Sequence, residues 1–101
     1  MFDILSKLGD VKKKMEEIKS RLDVVCVDGE AGNGKVKVTV TGNRKLKSIY
    51  IHDCLLSVDA KEELIDLLEM ATNSALENAE RVSEAEMKAA GRDFLPGMPG
   101  F

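Results

Sequence analysis

The feature that most constrains the fold is a helical repeat of apolar residues within residues 59–90. The repeat recurs every three or four positions, at Leu64, Leu67, Leu68, Ala71, Ala75, Ala79 and Val82. Asp59 followed by Glu62 is typical of a helix N-cap with an acid three residues on, and Gly91 suits a C-terminal stop. The predicted helix is about 46 Å long, whereas a compact domain of 101 residues has a radius of gyration of about 13 Å. Such a helix must project or pack on a second copy.

A second amphipathic helix is predicted over residues 2–22. Its apolar residues are spaced by three and four in turn, at Ile4, Leu8, Val11, Met15, Ile18 and Leu22. No proline interrupts this segment, and Gly9 is its only weak helix former. Basic residues lie off the apolar stripe and are expected to face solvent: Lys7, Lys12, Lys13, Lys14, Lys19 and Arg21.

The stretch between the two helices, residues 23–52, has the pattern of β-strands. A short apolar run at 24–27 is followed by a turn at 28–34, whose three glycines (Gly29, Gly32 and Gly34) suit positive φ. Valines then alternate with polar residues through Val36, Val38 and Val40, which is the period of a half-buried strand. After a turn at 42–45, residues 46–51 form a third strand with Ile49 and Ile51 on the inner face. Short turns between three strands predict an antiparallel meander.

These elements predict an α+β protein with an αβββα protomer, formed by residues 1–91. A three-stranded sheet cannot shield two long helices along their whole length. A homodimer is the economical solution, because an isologous interface covers both apolar stripes and the sheet at once. Residues 92–101 end in FLPGMPGF, and two prolines and two glycines there exclude regular structure. We expect this tail to be mobile; the alternative is that it docks on a partner.

Residues that could carry chemistry are few. His52 is the only histidine, and we interpret it as a residue at a strand end or turn. Cys26 and Cys54 are expected to be reduced, structural thiols in a cytoplasmic protein. They are not expected to bind zinc, because structural zinc usually has four ligands in paired units. The turn glycines do not form a phosphate-binding loop, because no Gly-Lys-Ser/Thr follows them. The sequence therefore predicts no enzyme, cofactor, metal, signal peptide or membrane span.

Charge is distributed unevenly along the chain. The formal net charge is −3, but residues 1–22 and residues 23–52 each carry +2, while residues 53–101 carry −7. The basic half, doubled in a dimer, has the charge needed to contact phosphates. Tyr50 is the only aromatic candidate for stacking on unpaired bases, which favours duplex DNA over single strands or RNA. The alternative is that these lysines only keep a helix in solution.

The layout resembles the YbaB/EbfC family of nucleoid-associated proteins over essentially the whole chain. The most specific part is V-x-G-E-A-G-N-G-K-V-K-V-T-V-T-G at Val27–Gly42, and I-x-I-H-D-C-L-L at Ile49–Leu56 follows it. The resemblance implies a tight, tweezer-like homodimer that binds DNA in nucleoid organisation or gene regulation in bacteria. It implies no catalytic residue and no cofactor.

The resemblance fixes structural glycines and valines but no DNA contacts, so the candidate contacts come from the charge pattern. They are Lys12, Lys13, Lys14, Lys19 and Arg21 on the first helix, and Arg44 and Lys45 on a turn. Lysine binds phosphate as a point charge and carries no base code, which predicts weak, sequence-tolerant duplex binding. A dimeric adaptor or chaperone-like protein that grips a protein partner remains the alternative.

Overall fold

The protein has two long helices around a three-stranded antiparallel sheet. The computed structural model describes the backbone of residues 2–94 and the side chains of residues 8–90. In chain order the elements are α1 (Phe2–Val24), β1 (Cys26–Ala31), β2 (Val36–Thr41), β3 (Leu46–Ile51), a 3-10 turn (Asp53–Leu55) and α2 (Lys61–Phe94). The strands lie in the order β1-β2-β3 with antiparallel neighbours. The predicted αβββα order and the meander are therefore confirmed.

The main core lies between α2 and the sheet. Val36, Val38 and Val40 of β2 are fully buried against a row of small residues on α2, Ala71, Ala75 and Ala79. These alanines recur every fourth residue, so they form one face of the helix, and they let its backbone approach the sheet closely. The alternation of the valines thus places the buried face of β2 where the sequence predicts it.

Strand β3 is much less covered than its neighbours. Val38 pairs with Ile49 and Val36 with Ile51, so these isoleucines share the face of the buried valines, as predicted. However, α2 packs mainly over β1 and β2, and Ile49 remains 45% exposed. The pairing also shifts by one residue between Thr39 and Val40. This bulge leaves Lys47 of β3 without a directly opposed residue.

Gly29 was assigned to the first turn in the sequence analysis, and that assignment is wrong. It lies inside β1, paired with Val38, and is buried. A Cβ added to Gly29 would overlap the backbone nitrogen of Ala75 and the carbonyl oxygen of Ala71. The absence of a side chain is what lets α2 lie directly on β1. The turn itself is shorter, with positive φ at Gly32, Asn33 and Gly34.

Both ends of α2 differ from the prediction. The helix begins at Lys61 rather than at Asp59, and the Oγ of Ser57 accepts the backbone N–H of Ala60 at 3.2 Å. At the other end α2 continues through Gly91 to Phe94. Packing against α1 at Ala90 offsets the weak helix propensity of the glycine that follows. The predicted tail therefore starts as helix, and residues 95–101 lie outside the described residues.

A second, smaller hydrophobic cluster joins the two helices. Ile18 and Leu22 of α1 are 2% and 3% exposed and pack with Ala90 and Val82 of α2. The protein is correspondingly elongated, with principal extents of 67 × 24 × 16 Å and a radius of gyration of 18.9 Å. Helix α1 and the second half of α2 (residues 82–94) thus form a two-helix arm beside the sheet.

We expect Gly29→Ala to lower the free energy of unfolding by about 2–3 kcal/mol, because the new methyl group must push α2 away from β1. Gly9→Ala is the matched control. No heavy atom lies within 4 Å of a Cβ at Gly9 in α1, so there the same change should raise stability by about 0.5–1 kcal/mol. Urea unfolding followed by circular dichroism measures both. Equal effects at the two positions would contradict the close approach of α2.

Candidate nucleic-acid interface

The basic residues of α1 flank an apolar stripe, here called the α1 stripe, formed by Leu8, Val11, Met15, Ile18 and Leu22. With about 100° between successive residues, Lys12 and Lys19 lie along one edge of this stripe. Lys14 and Arg21 lie along the other edge, and Lys13 lies on the opposite side of the helix. The five predicted contacts on α1 therefore do not form a single face.

The β2–β3 turn is fastened to the C-terminal end of α1. The backbone N–H of Gly42 donates to the carbonyl oxygens of Leu22 and Val25, each at 2.9 Å. The side-chain amide of Asn43 donates to the carbonyl oxygen of Lys19 at 2.9 Å and to the carboxylate of Asp23. The turn is thereby held in place against the segment of α1 that carries Lys19.

This attachment brings together three of the predicted contacts from two separate elements. Arg44 and Lys45 directly follow Asn43, and both are exposed. Arg44 has a positive φ of 62°, which is uncommon for a residue with a side chain and fixes the course of the tight turn. We call Lys19, Arg44 and Lys45 the turn cluster. The sequence analysis placed Gly42 and Asn43 in this turn but did not predict that they position the cluster, although a Gly-Asn pair before two basic residues is a turn signal.

Ion pairs divide the candidate contacts into two groups. Arg21 pairs with Glu86 of α2 at 3.0 Å, and Lys14 pairs with Glu17 at 3.9 Å. Within the described part of the chain, no ion pair is formed by Lys12, Lys13 or the turn cluster. These five side chains are therefore available to an external anion, whereas Arg21 ties the two helices of the arm together.

The outer face of the sheet is closer to neutral. Lys37 pairs with Asp28 at 3.3 Å, and Lys35 pairs with Glu63 at 3.6 Å. The ammonium of Lys47 lies 3.3 Å from the sulfur of Cys26. Lys37 of β2 and Lys35 in the preceding turn are thus paired with acids within the chain, whereas five of the seven candidate contacts on α1 and the β2–β3 turn are not paired with any residue that the structure describes.

Asp28 anchors the compensated face. The hydroxyl of Thr39 donates to its carboxylate at 2.7 Å. This hydrogen bond, together with the nearby Lys37 ammonium, holds the pKa of Asp28 below its usual value, although slight burial opposes the shift. The carboxylate therefore stays ionised, and its pairing with Lys37 persists over the whole neutral range.

His52 makes a structural hydrogen bond, and the two cysteines form no disulfide. His52 accepts the backbone N–H of Cys54 at its Nδ1 atom at 3.0 Å and so caps the 3-10 turn, which agrees with the structural interpretation of this residue. Cys26 and Cys54 are exposed free thiols. Among the described residues, no group of three or more histidines, cysteines or acids is arranged to hold a metal ion. The described helices also include none with the length and apolar character needed to cross a bilayer.

Together, these elements define an αβββα protein with exposed basic side chains on α1 and the β2–β3 turn. The model of the YbaB/EbfC DNA-binding family matches residues 1–94, and the chain belongs to this family. A nucleoid-associated protein of Flavobacterium johnsoniae is 41% identical over 101 residues, which cover 100% of this chain and 93% of that protein. One from Desulfotalea psychrophila is 35% identical over 99 residues, or 97% and 93% of the two chains.

A solved structure has the same fold. It is the crystal structure of an uncharacterised protein from Helicobacter pylori, which superimposes with a TM-score of 0.64 at 25% sequence identity. The match covers 82% of this chain and 93% of that one. The order of elements described above is therefore shared with a protein whose structure has been determined experimentally.

We predict that Thr39→Val raises the pKa of Asp28 toward its ordinary value, because the donated hydrogen bond is the largest cause of its depression. A depressed pKa in the folded state adds stability above the unfolded pKa of about 3.9. That stability is lost as the pH falls through the lower folded value. Carboxyl NMR titration measures the pKa directly. Lys37→Gln is the comparison, because it removes the other group that lowers the pKa of Asp28. An unchanged Asp28 pKa in Thr39→Val would show that the hydrogen bond from Thr39 does not cause the depression.

Proposed function

We propose that this protein is a nucleoid-associated protein that binds duplex DNA through phosphate contacts and with little sequence specificity. The observation that carries the proposal is the surplus of uncompensated positive charge on α1 and the β2–β3 turn, in a member of a DNA-binding family. Its relatives from Flavobacterium johnsoniae and Desulfotalea psychrophila are nucleoid-associated proteins, which supports a location in the nucleoid. The role is binding and organisation of DNA rather than catalysis.

The turn cluster is proposed as the centre of the interface. Two hydrogen bonds from the backbone N–H of Gly42 and two from the side-chain amide of Asn43 fix the position of its turn on α1. Its three cations are therefore presented from a rigid support rather than from a free loop. Lys12, which lies about 10 Å from Lys19 along the same edge of the helix, extends the positive surface. Lysine-rich surfaces of this kind follow the DNA backbone without reading bases.

The acidic residues of α2 orient the protein on DNA. Exposed acids recur along the side of this helix that faces away from the sheet: Asp66, Glu69, Glu77, Glu80 and Glu84. A duplex is repelled from this row and attracted to α1 and the turn. The net charge of −3 thus limits affinity without preventing binding at the basic surface.

We also propose that the protein is a homodimer. Large apolar side chains are exposed on three neighbouring segments: Leu46 and Ile49 on β3, Leu56 and Val58 before α2, and Ile65 on α2. Val58 is 90% exposed, and Leu55, Leu56 and Leu64 line an open groove beside it. An isologous interface over these segments would bury them and double the number of basic residues available to DNA.

Binding to a labelled random-sequence duplex, measured against salt concentration, tests the DNA proposal. Each phosphate contact contributes about −0.9 to the slope of log affinity against log salt, and we expect a slope of about −3 or steeper. Replacing Lys19, Arg44 and Lys45 with alanine should weaken binding roughly tenfold or more and flatten the slope. Replacing Lys12, Lys13 and Lys14 in the same way tests the rest of α1.

The matched control is the double variant Lys35→Ala and Lys37→Ala, which removes cations already paired with acids. It should leave the slope almost unchanged. Equal losses in the control and in the turn-cluster variant would contradict the proposed interface. A well-formed dimer that binds no duplex at any salt concentration would contradict DNA binding and favour the adaptor alternative.

Ile49→Lys tests the dimer, because it places a charge on the half-exposed inner face of β3. Light scattering should show the mass falling toward the 11.1 kDa of one chain. Ser48→Lys is the control, since the neighbouring side chain points to the opposite face of the sheet and should leave the dimer intact. A dimeric Ile49→Lys protein with native helicity would exclude this face from the interface.

A further inference from the structure

The α1 stripe is covered at only one end. Ile18 and Leu22 are buried against α2, while Met15, Val11 and Leu8 are 41%, 39% and 61% exposed. All five lie on the same side of one continuous helix. The boundary between covered and uncovered residues therefore marks the point where α2 stops running alongside α1.

The contacts along α2 show its direction relative to the rest of the chain. Leu67 lies beside Gly32, Ala75 beside Gly29, and the side-chain amide of Asn78 donates to the carbonyl oxygen of Asp28 at 2.8 Å. Later residues of α2 thus meet earlier residues of β1.

The same order continues into the arm. Glu86 contacts Arg21, and Ala90 packs with Ile18 and Leu22. Helix α2 therefore runs antiparallel to α1. Phe94 follows Ala90 by one helical turn, or about 6 Å. The chain consequently leaves α2 close to Met15, heading toward Val11 and Leu8.

The sequence that follows has a regular apolar pattern of its own. Residues 95–101 lie outside the described residues, and their sequence is Leu-Pro-Gly-Met-Pro-Gly-Phe. Large apolar residues occupy every third position, Leu95, Met98 and Phe101, and Pro-Gly separates them. Proline at 96 prevents α2 from simply continuing.

We propose that residues 95–101 dock on the exposed half of the α1 stripe of the same chain, with Leu95, Met98 and Phe101 facing Met15, Val11 and Leu8. The segment can reach about 23 Å when extended, whereas Met15 and Leu8 are only about 10 Å apart along α1. It carries no charged side chain, which suits an apolar surface flanked by Lys12 and Lys14. The tail thus completes the hydrophobic core of the arm. This inference does not depend on DNA binding.

Disulfide trapping in the full-length chain tests the proposal. Cys26 and Cys54 are first replaced with serine, and Val11→Cys is then combined with Met98→Cys. Mild oxidation should give an intrachain disulfide, detected as a faster-migrating monomer and as loss of two free thiols. The matched control combines Met98→Cys with Lys13→Cys, which lies on the other side of α1. The control should form the disulfide at least about tenfold more slowly, since any contact there requires the tail to leave its docked position.

Equal rates in the two pairs would overturn the proposal, because they would show a tail that samples all sides of the helix. Disulfide-linked dimers from the Val11 pair would also overturn it, and would assign the exposed stripe to a second copy of the chain.

Hydrogen exchange provides a second test that needs no cysteine. The triple variant Leu95→Ser, Met98→Ser and Phe101→Ser should speed amide exchange in residues 8–15 by about tenfold and leave β2 unchanged. Unchanged exchange in α1 would overturn the docking.

Discussion

The close approach of α2 to β1 at Gly29 is the contact on which the rest of the structure depends. A helix backbone can lie directly on a strand only where neither surface has a large side chain. Gly29 provides this gap on the strand, and Ala71 and Ala75 provide it on the helix. The valines of β2 then fill the space beside the contact line. The position of α2 on the sheet is therefore set by the absence of side chains as much as by their presence.

Helix α2 also connects the two hydrophobic clusters. Its first half contributes Ala71, Ala75 and Ala79 to the core on the sheet, and its second half contributes Ala90 to the cluster with α1. Helix α1 makes far fewer contacts and depends on this second half for its position. The arm is thus an extension of α2, supported at its base by the hydrogen bonds of Gly42 and Asn43.

The sequence was sufficient to predict the order of elements, because apolar residues recur at every second position in β2 and at every third or fourth position in both helices. The alternation at Val36, Val38 and Val40 also identified the buried face of β2. The role of Gly29 was not predictable in this way, since a glycine next to a turn motif is indistinguishable from a turn residue until α2 is placed above it. The continuation of α2 past Gly91 depends on tertiary packing for the same reason.

The candidate interface was predictable as a set of basic residues but not as an arrangement. The sequence alone could not show that Arg21 is paired with Glu86, or that Asn43 fastens the turn to the carbonyl of Lys19. Both facts require residues more than twenty positions apart to meet. Helical geometry could have separated Lys12 and Lys19 from Lys13, because the first two lie along one edge of the α1 stripe and Lys13 lies on the opposite side of the helix.

The bulge in β3 has a consequence for how copies of this protein can assemble. An outer strand normally presents free backbone groups to which the strand of another sheet can add, and repeated addition produces fibres. Here the bulge between Thr39 and Val40 distorts that edge and leaves Lys47 in it. Two such edges would bring lysines of like charge together over a poorly matched ladder. This edge of the sheet is therefore a poor site for the addition of a strand from another copy of the chain.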